Sequence, residues 1–317
     1  MRLQTAILLA LTLLVGAGMA DRALAWPPDL MPADALPLKV ALRAEAPTPK
    51  VKVSPVTSPA ACCAVLELRQ YTLKPGQRDA LIDLFDRYFL TGQEAVGVRV
   101  VGQFRDLDDP DRFVWLRGFP DMPARAASLA AFYGGPVWQA HREAANGTML
   151  DSDNVLLLRP ASAASGFAGA APLPPPVTPS PAPLPPAPLS PAPPGAPPAG
   201  HGMLVATLYY PFPAHDAAAA LDLADAFARD GAPALAAAGG PILAAFVTNP
   251  EPNNFPRLPV REGEVVFVTF QAFADAAAYD RYRAHVVTPW WRGHVLKGAP
   301  EVRRLAPTSG SRWQGSF

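Results

Sequence analysis

The chain is short of cysteine, of net charge and of catalytic motifs. Its 2 cysteines, Cys62 and Cys63, are neighbours, so they cannot build a disulfide framework. A bridge between adjacent residues needs a distorted peptide, because the usual Cα separation across a disulfide exceeds what neighbours span. Two small residues at a strand edge are expected, with an intermolecular bridge in an oxidising compartment as the alternative. Lys plus Arg and Asp plus Glu each number 27. No global field draws in nucleic acid or an anionic membrane surface, and no basic patch carries interleaved aromatics. The chain contains no Gly-rich phosphate loop, no Gly-x-Ser-x-Gly, no His-Glu-x-x-His and no Cys-x-x-Cys. Its 5 histidines make no metal-ligand spacing, and His201 and His215 flank loops where solvation is expected. These absences predict no catalytic residue, no metal and no resident cofactor.

Proline, by contrast, is abundant: 40 residues, clustered. Pro172 to Pro198 alternates Pro with Ala, Leu and Ser and lacks any pattern that could pack. In polyproline II geometry it would reach roughly 80 Å, which suits a spacer; a Pro-rich ligand for a recognition domain is the alternative. Arg2, the apolar run Ala6 to Ala17 and the small-x-small sites Gly18-Met-Ala20 and Ala23-Leu-Ala25 resemble a secretory leader. The run is short for a membrane span. Residues 1–25 are therefore expected to be a cleaved signal, with an uncleaved anchor as the alternative. The mature protein would be exported, periplasmic or secreted, without a stable membrane span. Residues 26–60 show neither helical nor strand periodicity and read as a flexible lead-in.

One motif then occurs twice. Phe113-Val-Trp-Leu-Arg-Gly-Phe119-Pro-Asp121 is followed by Pro136-Val-Trp138-Gln-Ala-His141. Phe267-Val-Thr-Phe-Gln-Ala-Phe273-Ala-Asp275 is followed by Pro289-Trp-Trp291-Arg-Gly-His294. The gaps between the two parts differ by one residue, and a repeat of this kind decides the architecture. Around the first copy, period-two alternation predicts strands at 64–72, 96–105, 112–119 and 154–159. A helix with Leu81, Leu84, Phe85 and Tyr88 on one stripe follows the first strand. A second runs through Arg125, Leu129, Phe132 and Tyr133, capped by Asp121, and a short third carries Trp138 and His141. The second copy repeats the order. The fold class is α+β: tandem ferredoxin-like βαββαβ units at 61–160 and 201–308, joined by a linker at 161–200 and followed by a tail at 309–317.

A ferredoxin-like sheet carries helices on one face. The open face is expected to hold Glu67, Arg69, Tyr71, Trp115 and Arg117, with Val101 and Gln103. Two such faces packed together would give a pseudo-dimeric α/β barrel with a partly polar interior. Pairing between two chains, a homodimer, is the competing arrangement.

Glu67-Leu-Arg-Gln-Tyr71-Thr-Leu-Lys-Pro-Gly76, Gly97-x-x-Val-Val-Gly102-Gln-Phe, Phe113-Val-Trp-Leu-Arg117, Ala124-Arg-Ala and Pro136-x-Trp138 together resemble the NIPSNAP family over about residues 64–160. Residues 201–308 read as a diverged repeat, with Val205, Thr207 and Tyr209 where the Glu-Leu-Arg-x-Tyr opening would stand. The resemblance implies the dimeric α+β barrel fold and no known reaction. Animal members are linked to mitochondria and vesicle traffic through adaptor-like binding, a setting that an exported chain does not share. Broader relatives of the fold include cofactor-free monooxygenases and haem-degrading enzymes, which is analogy of fold.

Two constellations could carry chemistry. Trp138/His141 and Trp291/His294 place a His three residues from a Trp, on one helix face. Such a His could ligate haem iron or act as a base; otherwise Trp is core and His bonds a helix-end carbonyl. Glu67, Arg69 and Arg117 set one carboxylate against two guanidiniums, either as a buried ion pair or as an anion site with Tyr71 as a further donor. The second unit offers only Thr207, Tyr209, Thr269 and Gln271 there. Candidate ligand-binding residues are thus Glu67, Arg69, Tyr71, Trp115, Arg117, Trp138 and His141. The function expected is binding of a small, possibly anionic, molecule or a protein partner through the barrel. An oxygenase acting with haem or without cofactor is the alternative.

Overall fold

The computed structural model describes residues 63–167, 202–286 and 289–315, all within one compact unit. The leader, the lead-in, Cys62, most of the proline-rich linker and His201 lie outside the described residues.

The first unit runs β1 (Val65–Leu73), α1 (Arg78–Leu84), a π-helical turn (Phe85–Phe89), α2 (Leu90–Glu94), β2 (Arg99–Asp106), β3 (Arg112–Phe119), α3 (Met122–Gly134), α4 (Pro136–Thr148), the short β4 (Met149–Asp151) and β5 (Val155–Pro160). The second runs β6 (Met203–Tyr209), α5 (Ala217–Ala226), a π-helical turn (Phe227–Gly231), α6 (Ala232–Ala237), β7 (Ile242–Thr248), β8 (Phe267–Phe273), α7 (Ala276–His285) and β9 (Glu301–Pro307). The expected βαββαβ order is present twice. Asp121 and Asp275 cap α3 and α7 in the same way, each side chain accepting from the backbone N–H three residues on at 2.7 Å. Pro136-Val-Trp138 opens a helix, whereas Trp290 and Trp291 lie in a turn where a short helix was expected. Gly293, with φ of 97° in the left-handed region, stands inside that turn.

Each unit supplies a four-stranded sheet in ferredoxin-like order, β2-β3-β1-β5 and β7-β8-β6-β9. They join edge to edge. β2 pairs with β9 through Phe104, Arg105 and Asp106, and β5 pairs with β7 through Leu158, Arg159 and Pro160. The ring β1-β3-β2-β9-β6-β8-β7-β5 closes, so the sheet is an eight-stranded antiparallel barrel. Closure removes every sheet edge that two separate half-barrels would expose.

The barrel interior corrects one expectation. It is apolar, built from Leu66, Leu68, Leu116, Leu156, Leu158, Leu204, Phe246 and Phe270. Glu67, Arg69 and Arg117 lie on the opposite face of the same strands, where they meet side chains of α2 and α3. Period-two alternation separates the two sets correctly, but it cannot say which face the helices cover. Here the helices cover the charged face, and the leucine face turns inward.

Two segments read as linker and tail reach into that interior. Phe167 packs on Phe246 and Phe270 at ring separations of 5.3 and 5.1 Å. Trp313, 1% exposed, packs on Phe104 at 5.9 Å. Cys63 is disulfide-bonded, which replaces the expected pair of unbridged residues. Its sulfur occupies the space a side chain at position 118 would need, since a Cβ on Gly118 would stand 2.0 Å from it. Among the described residues no helix is long and apolar enough to cross a membrane.

Candidate functional site between the first sheet and its helices

The site grows from one carboxylate. Glu67 and Arg117 face each other across β1 and β3 in direct register. Arg69 and Tyr71 follow Glu67 at every second position, so all three share its face. Arg125 sits one turn past the Asp121 cap of α3 and points at the same spot.

Glu67 Oε2 accepts from Arg69 Nη1 at 2.6 Å and from Arg117 Nε at 2.7 Å; Oε1 accepts from Arg125 Nε at 2.7 Å. Arg69 Nε donates to the Tyr71 hydroxyl at 2.8 Å, and Arg117 Nη1 donates to Gln93 Oε1 at 3.1 Å. Arg125 Nη1 crosses to the second unit, donating to Asn253 Oδ1 at 3.0 Å and Asn254 Oδ1 at 2.7 Å. Aromatic rings complete the cage. The Arg117 guanidinium lies 5.0 Å from the Trp115 ring centre, and that of Arg69 lies 5.6 Å from it.

The four charged side chains are at most 1% exposed. Burial pushes the Glu67 carboxyl up, but Arg117, Arg69 and Arg125 outweigh it and hold it well below the usual carboxylate range. Burial pulls Arg125 down, and Glu67 only partly opposes this. Burial raises the Tyr71 phenol. Three guanidiniums share one carboxylate, and no other carboxylate among the described residues is within ion-pair distance of them. The cluster therefore carries a surplus of positive charge away from water. Nη2 of Arg117, Nη2 of Arg125 and Nε1 of Trp115 find no acceptor. Beside the cluster lies a cavity of about 30 Å³, bordered by Tyr71, Gln93, Trp115, Tyr133 and Trp138. It has room for about one water molecule.

Of the candidate residues, Glu67, Arg69, Tyr71, Trp115 and Arg117 come together, and Trp138 closes the cavity against Tyr133 at a ring separation of 4.8 Å. His141 does not join them. It stacks on Tyr88, ring centres 3.8 Å apart, one turn further along α4. Sequence reasoning missed four contributors: Gln93, Arg125, Asn253 and Asn254. Arg125 was visible as a charge on the apolar stripe of a helix. Asn253 and Asn254 lie in the β7–β8 loop, more than a hundred residues from Arg125 in sequence, and carry no local signal.

The corresponding place in the second unit is filled. Val205, Thr207 and Gln271 replace Glu67, Arg69 and Arg117, and Gln271 donates to the Gly240 carbonyl at 2.6 Å. Trp290 packs on Phe227 at 4.9 Å and donates to the Tyr209 hydroxyl at 3.3 Å. It also lies against Gly231, where an added Cβ would meet its ring at 2.8 Å. A larger groove, about 420 Å³, runs across the β5–β7 seam between the start of α5 and the β7–β8 loop.

Comparison with known proteins bears on the first unit. Residues 66–165 match the NIPSNAP family profile. A NIPSNAP-like domain protein from Burkholderia xenovorans is 26% identical, covering 36% of this chain and 95% of its own, with a TM-score of 0.30. A NIPSNAP family protein of unknown function from Agrobacterium tumefaciens is 20% identical, covering 36% of this chain and 96% of its own, with a TM-score of 0.30. A Lactobacillus acidophilus protein provisionally assigned as a monooxygenase is 13% identical, covering 80% of this chain and 97% of its own, with a TM-score of 0.45. No curated protein matches the chain. The Glu67–Arg69–Tyr71 strand, its Arg117 partner and Arg125 all fall inside the span, residues 66–165, that matches the NIPSNAP domain.

Proposed function

We propose that this is an exported binding protein that holds a small anion at the arginine cluster of its NIPSNAP domain, without turning it over. The observation that carries the reading is the imbalance at Glu67. Two excess buried guanidinium charges are costly unless an anion joins them, and two guanidinium nitrogens have hydrogen-bonding capacity to spare. The tyrosine and tryptophan rings around them exclude water and strengthen any charge–charge contact formed there. The second unit supplies the other half of the barrel and has no equivalent charges. Export rests on the leader-like residues alone.

The anion reading is tested by titrating the purified full chain with sulfate, phosphate and acetate in a calorimeter. Saturable uptake of one of them is expected, with Arg117→Gln weakening it at least tenfold and Gln271→Ala leaving it unchanged. Heat that is absent for all three, or identical in Arg117→Gln, would remove the anion from the account. Export is tested separately, by locating the mature chain in fractionated cells; a chain confined to the cytoplasm contradicts it.

A further inference from the structure

The arginine cluster is sealed, so a ligand needs a route to it. The side of the cluster that faces the second unit is at Arg125. Its Nη1 rests on the amide oxygens of Asn253 and Asn254, and its Nη2 has no acceptor. A carboxylate oxygen is a stronger acceptor for a guanidinium than an amide oxygen. Asn253 also borders the 420 Å³ groove. One residue thus touches both a buried cation and a groove whose volume lies in the range of small-molecule sites.

The groove is chiefly apolar, with Leu157, Val247, Ala220, Leu221 and Val265 in its walls. Most of its charged groups are engaged. Glu264 is held by Arg261 at 2.9 Å and Lys297 at 3.3 Å, and Glu262 accepts from the Asn253 backbone N–H at 3.1 Å. His215 contacts the Gly263 carbonyl. Arg159 makes no ion pair among the described residues, which adds a positive group to the groove; Glu251 stands at its border.

We infer that groove and cluster form one site for a carboxylate with an extended apolar body, of the chemical class of a medium-chain fatty acid. This rests on the anion reading above and extends it. The tail lies along Leu157, Val247 and Leu221. The head takes the places of the Asn253 and Asn254 amides on Arg125. The β7–β8 loop, residues 249–266, is the door. It closes on the first unit through Asn254 Nδ2 to the Met122 carbonyl at 2.6 Å, Phe255 against Tyr133 at a ring separation of 6.1 Å, and the amide oxygens of Asn253 and Asn254 on Arg125; Arg261 and the Lys297–Glu264 pair anchor its far end.

The probes are decanoate, hexanoate and decylamine, measured calorimetrically on the full chain. Decanoate is expected to bind on the order of 100-fold more tightly than hexanoate, since four more methylenes are buried. Decylamine should not bind. Leu221→Trp, on a partly exposed helix face, should weaken decanoate at least tenfold and leave sulfate uptake unchanged. Asn254→Ala should tighten decanoate, because it removes a competing acceptor. Short anions that bind through Arg117 while decanoate binds no better than hexanoate overturn the groove and leave the anion reading standing. Decanoate that binds equally to wild type and Asn254→Ala, or no more tightly than decylamine, overturns the placement of the head. No binding by any probe or short anion ends both.

Discussion

At the scale of single residues, Glu67 is the keystone of the polar layer. Removing its charge leaves three buried guanidiniums without a carboxylate, so Glu67→Gln is expected to cost about 3–5 kcal/mol in urea unfolding at neutral pH. A cost below about 1 kcal/mol would mean that the arginines are already paired with something else. The same residue sets an acid limb. Its carboxyl titrates near 4.5 when unfolded and well below the usual range when folded. Its stabilising contribution is therefore fully present above about 4.5 and is lost as pH falls from there towards the folded value. The wild type should show a steeper loss of stability in that window than Glu67→Gln, and parallel curves would contradict the assignment. Part of this was readable beforehand. The shared face of Glu67, Arg69, Tyr71, Trp115 and Arg117 follows from period two alone. That this face lies beneath helices does not, because alternation labels the faces without orienting them.

At the scale of elements, the two units keep one scaffold and differ in what fills it. Both carry a π-helical turn after their first helix and an aspartate cap on a later one. The stripe Leu81, Leu84, Phe85 and Tyr88 continues to Phe89, which is 2% exposed and lies at the end of the π-helical turn. In the first unit the space between helices and sheet holds charges and a water-sized cavity; in the second it holds Trp290. Trp290→Ala is expected to destabilise by about 3–5 kcal/mol, through the cavity it leaves against Phe227 and Tyr209. Chemical unfolding checks this; a change under about 1 kcal/mol would mean the turn repacks freely. Of the recurring Trp-x-x-His, the first copy places Trp138 against Phe89 and Tyr133 and stacks His141 on Tyr88.

At the scale of the whole molecule, the two repeats are halves of one barrel. The strand order of each was legible from spacing and turns. The manner of joining was not: edge pairing at β2–β9 and β5–β7 depends on residues far apart in sequence, as does the insertion of Phe167 and Trp313 into the interior. The first unit alone would expose Leu66, Leu68, Leu116 and Leu158, together with two unpaired edges. Residues 63–167 expressed alone are therefore expected to elute as a homodimer or to aggregate; a folded monomer would contradict the shared core. The site also depends on the whole barrel, since the groove has walls from both units and its loop closes on a helix of the other. The most direct measurement is the titration of decanoate labelled with carbon-13 at its carboxyl, bound to the full chain and followed by its carboxyl resonance. A head seated on the arginine cluster is expected to stay ionised to a pH well below that at which the free acid protonates. A bound carboxyl that titrates at the free value, or above it, would contradict the account.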